Sequence, residues 1–198
     1  MSERRSILTT AAMFEPCALA TTAAGLKRTL HDAEPAEIVE QAQRTLGRGR
    51  VAVVASFGTE SAALLAIVAD IDPTMPVLFV DTGWMLDDTL GCHDALTARL
   101  GLTDVRTVAS LPAALAGFDG WIEGKCRPDD ERAGLPVVET DGLRLRFNAL
   151  ARVTRDEIDA AFGGSRAGRQ GWSAKIDCGI HPALTSAAAH ATNDARAR

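Results

Sequence analysis

The chain has 198 residues, of which 46% are hydrophobic and 24% are charged; this composition is typical of one globular domain and excludes a disordered chain. Acidic residues outnumber basic ones and give a net charge of −5, which excludes nucleic-acid binding through an overall basic surface. No uninterrupted apolar stretch of about 20 residues occurs, so no transmembrane helix is predicted. The first 33 residues lack the apolar segment of a signal peptide, and we expect a loose N-terminal leader on a cytoplasmic protein.

Predicted helices and strands alternate through the first half of the chain. Apolar spacing predicts helices at 34–46, 60–71 and 87–100, and short apolar runs predict buried strands at 51–55, 77–80 and 104–109. Asp32 and Gly47 are the predicted cap and end of the first of these helices. This order predicts a doubly wound α/β fold, with a mostly parallel sheet and helices on both of its faces.

The second half of the chain carries weaker structural signals. Residues 121–124 and 143–147 are candidate strands, and 154–162 is a predicted helix with a capping box made by Thr154 and Glu157. A run rich in glycine and arginine follows, and it predicts a mobile tail over 163–198. The predicted organisation is thus a leader at 1–33, an α/β domain at 34–162 and a tail at 163–198.

Two short loops follow predicted strands at the edge of the sheet where α/β proteins bind ligands. The first loop, at 56–61, offers hydroxyls, a glycine and the N–H groups of a helix N-terminus, which suit a phosphate or sulfate group. An ordinary turn with a serine cap is the alternative interpretation. The second loop begins at Asp81, whose carboxylate could bind a ribose hydroxyl or a base amino group, or cap a turn.

A cysteine lies in the predicted tail among residues that favour its ionisation. Cys178 is three residues from both Lys175 and His181, and nearby cations lower the pKa of a thiol. Zinc binding by Cys178 and His181 together with Cys92 and His93 is a weaker hypothesis, because structural zinc sites usually use two spaced pairs and the second pair here is adjacent. An unreactive tail cysteine is the remaining interpretation.

Five segments, taken in chain order, resemble motifs of the phosphoadenylyl-sulfate and adenylyl-sulfate reductases, a family in the PP-loop superfamily of nucleotide enzymes. Residues 55–65 resemble the phosphate loop of the family and the helix that follows it, and residues 77–83 with Thr89 resemble the "DTG…ET" motif. Residues 121–138 resemble the tryptophan–glycine–arginine segment of the family, and residues 147–158 resemble its "NPL" segment and the helix that follows it. The C-terminal "ECGLH" motif is similar to 177–181. Five collinear matches are far more specific than any one of them.

The resemblance implies a sulfonucleotide site and a catalytic cysteine. The phosphosulfate would bind the first loop, and the nucleoside would lie near the second, while two arginines would hold anionic oxygens. Cys178 would attack the sulfonate sulfur to form S-sulfocysteine, and thioredoxin or glutaredoxin would then release sulfite. The residues implied in substrate binding are Ser56, Phe57, Gly58, Thr59, Glu60, Ser61, Asp81, Thr82, Gly83, Arg127, Arg132 and His181. The family also makes a homodimer plausible.

The cysteine pattern bears on substrate and cofactor. Family members that use adenylyl sulfate hold a [4Fe-4S] cluster on a Cys-Cys pair and a later C-x-x-C pair, whereas Cys17, Cys92, Cys126 and Cys178 are far apart. We therefore expect no bound cluster and no metal, and the resemblance then favours 3′-phosphoadenylyl sulfate as the substrate. The expected reaction is its reduction to sulfite and adenosine 3′,5′-bisphosphate in assimilatory sulfate reduction.

The chain also departs from the family pattern. The link between Val108 and Trp121 is much shorter than usual, and the block that normally follows the helix near Asp156 is missing. Cys126 replaces the first of the paired arginines, and nearby acidic residues would repel an anion. Two other functions therefore stay open: an ATP pyrophosphatase-type enzyme, whose "SGGxDS" loop the segment 56–61 approximates, and a non-catalytic nucleotide-binding relative.

Overall fold

The computed structural model describes residues 16–55, 59–80, 87–126 and 135–161. Helices and strands alternate through the middle of the chain, and a single-turn 3₁₀ helix precedes the fourth strand. In chain order they are α1 (Pro16–Thr29), α2 (Pro35–Leu46), β1 (Val51–Ala55), α3 (Thr59–Ile71), β2 (Val77–Val80), α4 (Asp87–Leu100), β3 (Val105–Val108), α5 (Leu111–Ala114), the 3₁₀ helix (Leu115–Gly117), β4 (Gly120–Glu123), β5 (Val138–Asp141), β6 (Arg144–Asn148) and α6 (Arg155–Ala161). None of the helices in these ranges is long and apolar enough to cross a membrane.

The six strands form one sheet in the order β3-β2-β1-β4-β6-β5. Every neighbouring pair is parallel except β5 and β6, which form an antiparallel pair joined by a two-residue turn with Gly142 at φ 59°. The positive φ favours glycine at that turn. From β1 the chain continues to β2 on one side, whereas β4 lies on the other side of β1. The prediction of a doubly wound, mostly parallel sheet is confirmed.

Helices pack on both faces of the sheet, but unequally. Alternate β1 residues Val51 and Val53 point into the larger core, which also contains Ile38 of α2 and Leu64 of α3. The intervening Ala52 faces a smaller cluster made with β2, β4 and the segment from α5 to Phe118. Because β1 is buried on both faces, its sequence is continuously apolar and does not alternate with polar residues. This confirms the prediction of a buried strand at 51–55.

The N-terminal helix α1 corrects the prediction of a loose leader, which is wrong from Pro16 onward. Leu19 and Ala23 are buried in the larger core, and α1 packs on β5 and β6. The sequence did not predict this helix, because small residues such as the buried Ala23 weaken its apolar periodicity. Residues 1–15 of the predicted leader and the whole predicted tail at 163–198 lie outside the described residues.

Most other predicted elements are confirmed, but one helix cap was predicted wrongly and one strand was not predicted. The cap of α2 is Glu34, whose backbone N–H donates to Glu37 Oε2 at 2.9 Å, so the prediction of Asp32 as the cap is wrong. The predicted box at α6 is confirmed, because Glu157 accepts from the Thr154 N–H at 2.7 Å and its own N–H donates to Thr154 Oγ1 at 3.2 Å. Strand β5 was not predicted, since three of its four residues are polar.

The buried carboxylate of Asp72 joins α2 to the turn before β2. It accepts hydrogen bonds from Gln43 Nε2 at 2.7 Å and from the backbone N–H and hydroxyl of Thr74 at 3.1 and 2.6 Å. The Thr74 hydroxyl contributes most to lowering the pKa of Asp72, with further contributions from Gln43 and Arg48, while burial opposes them. The ionised form of Asp72 is therefore the form that stabilises the fold.

Asp72→Ala is expected to lower the free energy of unfolding at pH 7 by about 2 kcal/mol, because it leaves the Gln43 and Thr74 donors without their acceptor. Since the pKa of Asp72 is lower in the folded state than in the unfolded state, its contribution is present above the unfolded pKa and is lost as pH falls through the folded value. Urea unfolding from pH 7 to pH 3 measures this, and a difference between wild type and variant that does not narrow with acid would contradict it.

Candidate active site

A cavity of about 390 Å³ opens at the carboxyl edge of the sheet, where β1 and β4 lie side by side. This is the point where the strand order reverses, which is the usual ligand site of open α/β sheets. Its described lining comes from the ends of β1, β2 and β4, the first turn of α3 and the start of α5. The lining residues are Val54, Ala55, Glu60, Ser61, Val80, Leu111, Glu123, Gly124 and Lys125.

Two of the predicted phosphate-loop residues line this cavity. Glu60 and the buried Ser61 lie in the first turn of α3, directly beyond the carboxyl end of β1. Thr59 begins the helix, and Ser56, Phe57 and Gly58 lie outside the described residues. A helix N-terminus at this position favours a bound anion, because its first N–H groups have no intrahelical acceptor.

The other predicted site residues lie outside the described ranges. They are Asp81, Thr82, Gly83, Arg127, Arg132, Cys178 and His181. The residue before Asp81 and the residue before Arg127 are both described. Val80 ends β2 and lines the cavity, and Cys126 lies beside Glu60. Cys178 and His181 of the zinc hypothesis lie outside the described ranges, so that hypothesis stays a prediction. The described part of the chain holds no cluster of three or more metal-ligating side chains.

Glu60 is at the centre of an ion-pair cluster that the sequence did not predict. Its Oε1 lies 2.8 Å from Arg155 Nη1, and the same oxygen accepts a hydrogen bond from the Cys126 thiol at 3.3 Å. Arg155 is the first residue of α6, so the pair joins α6 to the helix that follows the phosphate loop. The charge of Glu60 is thus balanced by Arg155 at the cavity wall, which reduces its repulsion of an anionic ligand.

Cys126 is a protonated thiol at neutral pH. Burial raises its pKa most, the hydrogen bond to Glu60 and the charge of that carboxylate raise it further, and the result is about 11. Because the thiolate is the nucleophilic form of cysteine, Cys126 is a poor nucleophile despite its position beside the cavity. The first arginine of the family pattern is therefore replaced here by a neutral group.

Cys126 is expected to react slowly with iodoacetamide at pH 8. A pKa of about 11 in place of the ordinary 9.0 leaves about a hundredfold less thiolate, and the rate should rise with pH until about pH 11. Glu60→Gln removes the carboxylate charge that opposes ionisation, so it should speed the reaction at pH 8. Peptide mapping measures each site separately, with the exposed Cys17 as the internal reference; labelling of Cys126 as fast as Cys17 would contradict this assignment.

A second charged pair, at the end of β4, also lines the cavity. Glu123, the last residue of β4, accepts from Trp121 Nε1 at 2.7 Å and pairs with Lys125 Nζ at 2.8 Å. The Glu123 side chain is 14% exposed and that of Lys125 is 59% exposed. The sequence carried a signal for this pair, since Trp121, Glu123 and Lys125 alternate along a strand end and so share one side.

Gly124 lets the end of β4 approach α3 closely. A Cβ at this position would lie 3.1 Å from the Glu60 carbonyl oxygen, which is tighter than ordinary van der Waals contact. The absence of a side chain at this position therefore allows the end of β4 and the first turn of α3 to lie close together beside the cavity. This agrees with the glycine of the motif at 121–124.

A family model matches the part of the chain that forms the sheet and the described cavity lining. The family model described as "Phosphoadenosine phosphosulfate reductase domain" matches residues 50–167, more than half of the chain and all of the described cavity lining. The chain belongs to this family. The resemblance inferred from the five motifs is thereby confirmed, together with membership of the PP-loop superfamily.

Relatives within the family carry two different substrate names. An adenosine 5′-phosphosulfate reductase of Mesorhizobium japonicum is 34% identical over 82% of this chain and 88% of its own length. One of Chelativorans sp. is 31% identical over 76% and 89%. A phosphoadenosine 5′-phosphosulfate reductase of Gloeobacter violaceus is 27% identical over 70% and 71%. The chain is thus similar to reductases named for each of the two substrates.

Two further comparisons concern the fold and the length of the chain. The crystal structure of the phosphoadenylyl-sulfate reductase of Candida auris in a phosphate complex superposes with a TM-score of 0.58 at 17% identity, over 70% of this chain and 82% of that one, and it shows the shared fold. The alignment with the Mesorhizobium protein covers 224 positions, more than the 198 residues here. That relative therefore contains segments with no counterpart in this family member.

Proposed function

We propose that this protein is a sulfonucleotide reductase that converts 3′-phosphoadenylyl sulfate to sulfite and adenosine 3′,5′-bisphosphate. The observation that carries the proposal is the cavity at the switch point of the sheet, bounded by the N-terminus of α3 in a chain of the phosphoadenosine phosphosulfate reductase family. The absence of Cys-Cys and C-x-x-C pairs from the sequence favours the 3′-phosphorylated substrate and a protein without an iron–sulfur cluster.

The proposed chemistry has two steps at one sulfur atom. The Cys178 thiolate attacks the sulfonate sulfur, an S–S bond forms, and the bond from that sulfur to the phosphate oxygen breaks to release the nucleotide. A dithiol protein of the thioredoxin or glutaredoxin class then attacks the Cys178 sulfur and releases sulfite. Its second thiol resolves the mixed disulfide, so the reductant supplies the two electrons and Cys178 returns to the thiol state.

The described residues support particular parts of this scheme. The N-terminus of α3, with Ser61, provides donors for the anionic phosphosulfate, and the apolar side chains of Val54 and Leu111 help to exclude water from it. The raised pKa of Cys126 argues against that thiol as the nucleophile, although it is next to the cavity. Arg127 and Arg132 are proposed to hold the substrate oxygens, as the family motif implies.

Mass spectrometry of the intact protein tests the proposal. Incubation with 3′-phosphoadenylyl sulfate is expected to add one SO₃ group, which peptide mapping should place on Cys178, and added reduced thioredoxin should remove it and release sulfite. Adenylyl sulfate serves as the second substrate, and the larger rate of adduct formation identifies the preferred one. Nucleotide binding by folded protein without any adduct would contradict the proposed reaction and favour a non-catalytic relative. Formation of AMP and pyrophosphate from MgATP would instead favour an ATP pyrophosphatase.

A further inference from the structure

Lys125 supplies positive charge to the cavity from a position that the family motif leaves unspecified. It follows β4 by two residues and lines the cavity together with Glu60 and Ser61 of α3. Among the lining residues that the structure describes, it is the one cation. Its side chain is 59% exposed, so the ammonium group is accessible to a ligand that enters the cavity.

The partner of Lys125 is a carboxylate that has another donor. Glu123 Oε2 pairs with Lys125 at 2.8 Å, while Glu123 Oε1 accepts from the indole N–H of Trp121 at 2.7 Å. If Lys125 moved to another anion, the bond from Trp121 would still satisfy one oxygen of Glu123. The remaining carboxylate in the lining, Glu60, is already paired with Arg155, so it competes less for the Lys125 ammonium group.

We propose that Lys125 binds substrate by exchanging its ion pair with Glu123 for one with the 5′-phosphosulfate group. This inference rests on the proposed function in that it takes a sulfonucleotide as the ligand. Lysine suits the exchange, because its ammonium is a point charge with three donors on a long stem. Lys125 is the neighbour in sequence of Cys126, the position where the family pattern has an arginine.

The exchange makes opposite predictions for the two members of the pair. Lys125→Met removes the cation and is expected to weaken binding of the nucleotide about tenfold. Glu123→Gln removes the competitor of the substrate but retains an acceptor for Trp121, so it should tighten binding about two- to fivefold. A pair that serves only structure predicts weaker binding for both variants. Lys125→Arg should retain affinity within about threefold.

Isothermal titration calorimetry with adenosine 3′,5′-bisphosphate and with AMP measures these changes. Both nucleotides carry a 5′-phosphate, so Lys125→Met should weaken both by the same factor. The matched control is Lys27→Met, on the exposed side of α1, which should change neither affinity. Thermal unfolding of each variant establishes that it is folded. In steady-state kinetics, Lys125→Met should raise KM about tenfold and leave kcat within about twofold.

Three outcomes would overturn the assignment. The first is weaker nucleotide binding in both Lys125→Met and Glu123→Gln. The second is a loss of affinity in Lys125→Met for the bisphosphate alone, which would place Lys125 at the 3′-phosphate. The third is no measurable binding of either nucleotide to the wild type. Failure of the proposed reaction is a separate result. In that case Cys178 of the wild type would gain no sulfonate, yet the nucleotides would bind and the two variants would change their affinities in opposite directions.

Discussion

Gly120→Ala is expected to lower the free energy of unfolding by about 3 kcal/mol or more. Gly120 begins β4 in the centre of the sheet and pairs with Leu145 of β6. A Cβ on Gly120 would overlap the Leu145 carbonyl oxygen and lie 2.7 Å from Leu46 Cδ1. The carbonyl cannot move away freely, because the Leu145 N–H is bonded to the Asp119 carbonyl at 3.0 Å and fixes the strand. Urea unfolding measures the loss.

Gly25→Ala is the matched control for that experiment. Gly25 lies within α1, and a Cβ there would meet no atom within 4 Å. Because alanine has the higher helix propensity, this variant should be more stable than wild type by about 0.5–1 kcal/mol. Equal stabilities of the two variants would show that the contacts of Gly120 do not limit side-chain size at that position.

Cys178→Ser is expected to abolish sulfite release, by at least about a thousandfold, and to prevent the sulfonate adduct, because a serine hydroxyl is not ionised at neutral pH and is a poor nucleophile toward sulfur. Cys126→Ser is the matched control beside the cavity. It preserves size and a hydrogen-bond donor to Glu60, and it should retain activity within about threefold, since the Cys126 thiol is already un-ionised. Sulfite is measured with reduced thioredoxin present in excess.

The opposite pattern would reassign the nucleophile. Full activity in Cys178→Ser with loss in Cys126→Ser would require ionisation of a thiol whose pKa is about 11, and it would contradict both the site geometry and the motif match at 177–181. Loss in both variants with folded protein would indicate that Cys126 contributes to substrate binding through Glu60.

The buried strands were the most predictable part of the fold. Residues 51–55 and 77–80 were predicted with the bounds that the structure shows, because strands covered on both faces require continuous apolar sequence. Helix α1 was not predictable in the same way, since its packing on β5 and β6 depends on a strand pair more than a hundred residues away. Strand β5 depends likewise on its partner, as one buried valine carries little periodicity.

The candidate site was predictable where it follows strand ends in sequence. Glu60 and Ser61 were predicted from the turn after β1, and the structure places both at the cavity. Arg155 was missed because its pairing with Glu60 spans almost a hundred residues and is set by the packing of α6 on α3. Lys125 was missed because the family motif specifies its neighbours and leaves its own position variable.

The ion pair between Glu60 and Arg155 has a consequence for the delivery of the sulfhydryl group. It fixes the start of α6 at the cavity wall, and only sixteen residues separate the end of that helix, Ala161, from Cys178. A fully extended chain of this length reaches roughly 60 Å at most. In the proposed reaction, attack by Cys178 on a substrate bound to the same chain is an intramolecular event, and we expect its first-order rate constant not to depend on protein concentration.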